Sequence, residues 1–215
     1  MAAPTPLNGK ALDALTTPGA GRMADQMSFA EAMFARAGLS SVPYTSVFGR
    51  QLEAATRINL INPFSLMEEI GKLERNLPSR SKKAEAFKRG PLVGIMHKHF
   101  VSARNVAQNV LNHWSPGSDR MNRAVKKVLD EHAGRPVGDW ELAGKTSERL
   151  VSEAYSQREK QHGITGDWIV YKRHDHKNYY LCLAGHKEQD EEILERFAAA
   201  AESEFPELGI HRSGV

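Results

Sequence analysis

Five of the nine histidines fall in two short stretches: His97 and His99 in "GIMHKHFV", and His174, His176 and His186 in "RHDHKNYYLCLAGH". Imidazole is the side chain whose ordinary pKa lets it change charge between pH 5 and 8. Clustered histidines therefore suit general acid–base catalysis or, as neutral ligands, a metal ion. What His97 and His99 can do together depends on the backbone beneath them. On a helix they sit about 200° apart and share nothing; on a strand they point the same way and could hold one ion. The 3.6-residue pattern favours a helix over residues 92–114, with Leu92, Met96, His99, Ala103, Val106 and Val110 on one face, and Gly94 would weaken a strand interior. On that helix His99 centres an apolar stripe, either lining a pocket or bonded to a backbone carbonyl in the core. His97 is exposed beside Val101 and Arg104, and Arg104 with Asn105 offers an anion site.

The second stretch has two readings of its own. Arg173, His174, Asp175 and His176 could supply a cation for a phosphate, a base and a carboxylate to orient it. They are also ordinary turn residues, and their spacing is no metal signature. Two basic runs, "RSKKAEAFKRG" and "DRMNRAVKK", add Arg120, Arg123 and Lys127 on one helix face, which suits phosphate contact as well as simple solvation. The candidate catalytic groups are thus His99, His97, His174, His176 and Asp175, with Arg104, Arg173, Arg120, Arg123 and Lys127 as phosphate-binding groups. The cofactor is left open, a divalent metal ion being one candidate.

These residues point to a histidine-dependent phosphodiester-cleaving or nucleic-acid-binding protein. The alternative is a noncatalytic interaction protein (an inhibitor, immunity-type or assembly factor) that docks a protein partner through Tyr171 and Tyr180 on the C-terminal sheet and through the hairpin tip.

Other chemistries lose support. The sequence has no G-x-x-x-x-G-K-[ST], G-x-G-x-x-G, H-E-x-x-H or G-x-S-x-G, the signatures of nucleotide hydrolysis, dinucleotide redox chemistry, zincin proteolysis and esterase action. Cys182 is the single cysteine, so neither an internal disulfide nor a paired-cysteine zinc site can form. It reads as a small core residue inside a strand. Composition (40% apolar, 26% charged, net charge +3) is that of a soluble globular chain. With no signal-like leader and no apolar run of membrane-spanning length, the reading is cytoplasmic.

The positioning elements follow from periodicity and caps. Residues 1–24 read as a flexible tail and 25–215 as a single globular domain, helical over 25–162 with a ββα unit over 164–208. The expected class is α+β: a mainly helical N-terminal two-thirds packed with a C-terminal antiparallel hairpin and terminal helix. Ser28 with Glu31 forms a capping box, and a second helix covers Ser46 to about Ile61. Asn62–Pro63 starts a third, whose stripe Leu66, Ile70, Leu73 and Leu77 ends at Pro78. Further helices are expected at about Asp119–Ala133, over "TSERLVSEAYSQREKQHG", and at about Gln189–Ser203. "DWIVYKR" and "NYYLCLA" pair as strands across "HDHK", with the Trp168, Val170, Lys172 face as core. Val137–Leu142 is the candidate for a third strand.

Overall fold

The structure, a computed structural model, describes residues 27–101, 103–114, 119–160 and 166–211. The expected tail over 1–24 and the expected stop at Gly163 lie outside the described residues. The fold is α+β, built on a four-stranded antiparallel sheet in the order β1-β2-β3-β4. Its strands are β1 (Glu85–Ala86), β2 (Met96–Phe100), β3 (Asp167–His174) and β4 (Lys177–Ala184).

Three helices precede the sheet: α1 (Phe29–Arg36), α2 (Ser46–Arg57) and α3 (Pro63–Glu74). Local chemistry starts each one. The Ser28–Glu31 capping box is formed on both sides, and Asn62 Oδ1 accepts from the backbone of Phe64 with Pro63 at the first helical position. Phe34, Phe48, Leu52, Leu66 and Ile70 from these helices pack on Phe100, Ile169, Tyr171, Tyr180 and Leu183. The stripe stops short of Leu77, which lies beyond the helix and is exposed.

The opposite face is covered by the last helix, α7 (Asp190–Glu204), through Ile193, Leu194, Phe197 and Ala201, as its periodicity predicts. Asp190, Glu191 and Glu192 occupy its first turn, where the helix dipole favours negative charge. Between β2 and β3 the chain makes α4 (Ala103–His113), α5 (Arg120–His132) and α6 (Asp139–Lys160), which pack on one another. No helix of the described residues is long and apolar enough to cross a membrane.

Three expectations are corrected. The 92–114 stretch is two elements, because Gly94 takes φ +82, which breaks a right-handed helix; strand β2 follows, and helix resumes only at Ala103. Val137–Leu142 is no strand but leads into the first turn of α6, where Leu142 N–H already bonds Gly138 C=O, and Trp140 is 91% exposed. The further strands are β2 and, inside the basic run, β1. Finally, the hairpin has no solvent face. Lys172↔Tyr179 and Arg173↔Asn178 pair next to the turn, and an irregularity between Val170 and Tyr171 then sets Val170↔Cys182 and Trp168↔Ala184. With helices on both sides, Tyr171 and Tyr180 are 0% exposed, so they form core rather than a docking surface.

Candidate functional site

Strand geometry brings His97 and His99 together. Alternation sends Met96, Lys98 and Phe100 toward α1–α3 and both histidines to the other face, where pairing sets His99 opposite Trp168. The loop after β4 then delivers His186. Ring centroids lie 4.8 Å apart for His97–Trp168, 5.0 Å for Trp168–His186, 5.4 Å for His99–His186 and 5.8 Å for His97–His99. Phe87, just past β1, closes the group at 4.7 Å from His97 and 5.5 Å from Trp168.

The three imidazoles are in different states. His99 is 4% exposed and held at both nitrogens. The Trp168 indole N–H, which can only donate, points at Nε2 from 3.3 Å, and Nδ1 faces the Gly166 backbone, 3.1 Å from its C=O and 3.3 Å from its N–H. Burial, with the charges of His186, His97 and Lys82 adding to it, pushes His99 down to about 4, although the Gly166 bond opposes that shift. At neutral pH it is an uncharged, fixed ring. The chain passes Gly166 so closely to β2 that a Cβ there would fall 1.8 Å from the Phe100 carbonyl oxygen. Only glycine allows this approach.

His97 is half-buried and its Nδ1 is enclosed without a hydrogen-bond partner. Burial lowers its pKa, the Glu85 carboxylate pulls it back up, and His186 and Lys82 lower it further. His186 is exposed, on a loop held from below: Glu188 accepts from Gly185 N–H at 2.5 Å and pairs with the buried Arg196 guanidinium, which also donates to Leu183 C=O at 3.1 Å. Exposed cations flank these rings in the chain, Lys88 and Arg89 after Phe87 and Lys187 after His186.

Behind the site, on the other face of β2, Lys98 is buried in a polar network. Its ammonium donates to Ser79 at 3.1 Å, to Ser81 and to Lys82 C=O at 2.7 Å, and pairs with Glu69 at 3.2 Å. Burial lowers Lys98. Burial would raise Glu69, but the Ser79 hydroxyl and the Lys98 charge outweigh it and hold the carboxylate below its usual range. Ser81 also donates to the His99 carbonyl at 2.7 Å, which ties the basic loop to the strand carrying both histidines.

The other sequence candidates are not gathered here. His174, Asp175 and His176 lie at the far end of β3, about 20 Å from Trp168 at ~3.3 Å per residue. Asp175 and His176 form the two-residue turn at φ +44 and +62, and the His174 ring packs near Tyr179. Arg173 donates to Asn178, whose amide bonds Glu74. Arg120, Arg123 and Lys127 form an exposed face of α5. The Arg104 side chain lies outside the described residues, and Asn105 bonds the Asp167 carboxylate at 3.1 Å. Sequence reasoning missed Phe87, Trp168 and the buried Lys98 network, and it grouped His186 with the wrong partners. The unused signal was the pairing of β2 with β3.

Among the described residues no three His, Cys, Asp or Glu side chains are grouped so as to hold one metal ion. Comparisons with protein-family models, curated proteins and solved structures each give no match, so function is argued from these side chains.

Proposed function

We propose that the chain is a histidine-dependent phosphodiester-cleaving protein whose reaction centre is the pair His97 and His186, with Trp168 between them. One observation carries the reading: both imidazoles pack against Trp168, so that no more than about 10 Å separates them, within reach of one reacting phosphate. Neither is consumed by a structural hydrogen bond as His99 is. Burial favours the neutral form of His97, which suits a general base. His186 is exposed, open to an approaching substrate, and is assigned the acid. Lys82, Lys88, Arg89 and Lys187 supply positive charge for a phosphate. His99 is a positioning residue that fixes Trp168. The interaction-protein reading retains only the hairpin tip, since the tyrosine face is core.

The test is hydrolysis of an activated phosphodiester and of oligonucleotides by the purified chain, with EDTA and with added divalent metal. His97→Ala should lower the rate by about 10²- to 10⁴-fold with little change in Tm. A wild-type chain that cleaves nothing, or a His97→Ala variant as active as wild type, would overturn the reading.

A further inference from the structure

Resting on that reading, we infer that the substrate is single-stranded RNA, cleaved by attack of its own 2′-hydroxyl. Two features of the site select it. The first is the pairing of two imidazoles against Trp168, a base and an acid placed to act on one phosphate. An RNA 2′-hydroxyl already sits beside the phosphorus, and such intramolecular placement replaces much of the work of activating a free water.

The second is the alternation of rings and cations along the site. Half-buried Phe87 precedes exposed Lys88 and Arg89; His186 precedes exposed Lys187; Trp168 lies between. A stacking platform edged with cations fits unpaired bases and their backbone. It stands beside the outermost strand of the sheet, which is only two residues long.

In the step, a nitrogen of His97 takes the 2′-hydroxyl proton while O2′ forms its bond to phosphorus. The P–O5′ bond breaks, and the departing O5′ takes a proton from the His186 imidazolium. The products are a 2′,3′-cyclic phosphate and a 5′-hydroxyl; His97 ends protonated and His186 neutral, and solvent restores both. No oxidant, reductant or further reactant is required.

The experiment incubates the full chain in EDTA with a single-stranded RNA, the same sequence as DNA, and the RNA carrying 2′-O-methyl groups, and identifies the ends formed. The expected result is RNA cleavage to 2′,3′-cyclic phosphate ends, with DNA and 2′-O-methyl RNA at least about 10³-fold slower, a floor set below the roughly 10⁵ M effective molarity of a well-placed internal nucleophile. DNA cut as fast as RNA, or RNA ends bearing 5′-phosphate, overturns this inference and leaves the phosphodiester reading standing. Cleavage of none of these, nor of an activated phosphodiester, overturns both. Phe87→Leu should raise KM for RNA about 5- to 100-fold with kcat little changed, the weight of one stacked base; an unchanged KM overturns the stacking role.

Discussion

Strand β3 carries histidine clusters at both ends, and the two have opposite fates. At the Trp168 end, His97, His99 and His186 arrive from β2 and from the loop after β4, and burial keeps one ring, His99, uncharged down to about pH 4. At the other end, His174 and His176 are neighbours in sequence, yet Asp175 and His176 serve the backbone by adopting the positive φ values of a tight hairpin turn. Closeness in sequence gathers the histidines of the turn. Strand pairing gathers those around Trp168, from segments up to 89 residues apart between His97 and His186.

The sharpest way to break this contrast is to separate β2 from β3. Gly166→Ala places a methyl group against the Phe100 carbonyl and should cost about 3 kcal/mol or more by urea unfolding, and it should loosen the His99–Trp168 pair. A stability loss below about 1 kcal/mol would mean that the close approach at Gly166 does not hold the cluster together.

Acid should also act mainly on the Trp168 end. Above about pH 6.5 His99 is neutral in both the folded and the unfolded chain, and the full stability is present. As pH falls from there toward about 4, the unfolded chain binds a proton that folded His99 refuses, so stability drops by up to roughly 3 kcal/mol. The charges facing His99 are His97, His186 and Lys82, and all three act in that direction. Unfolding midpoints measured from pH 7.5 to 4 should fall in wild type and flatten in His99→Gln; an equal slope in both would assign the effect elsewhere.

The turn should respond least and in the opposite sense. Asp175→Asn with His176→Gly installs the residues that tolerate positive φ and should raise stability by about 1 kcal/mol, read as a higher Tm, with cleavage unchanged. Lost activity in that variant would return His174, Asp175 and His176 to the site.

The fold was legible wherever one local signal decided one element. The Ser28–Glu31 box, the Asn62–Pro63 start, the Phe197 stripe of α7 and the β3–β4 hairpin all follow from neighbours in sequence. The site was legible only as a list of residue types. The stripe from Leu92 to Val110 imitates a single helix because Gly94 interrupts it without disturbing the apolar spacing, and the side on which His97 falls is decided by β3, some 70 residues later. The burial of Tyr171 and Tyr180 depends on α1–α3 covering their face of the sheet, which periodicity within the hairpin does not report.

The central claim is that His97 and His186 act on one reacting group. Its most direct test is a double-mutant cycle, with cleavage rates on one RNA oligonucleotide measured for wild type, His97→Ala, His186→Ala and the double variant. Groups that act as a unit are strongly non-additive. The account predicts that each single change costs about 10²-fold or more and that the double variant is scarcely slower than either. Losses that multiply in the double variant, or a His186→Ala chain as fast as wild type, would contradict it.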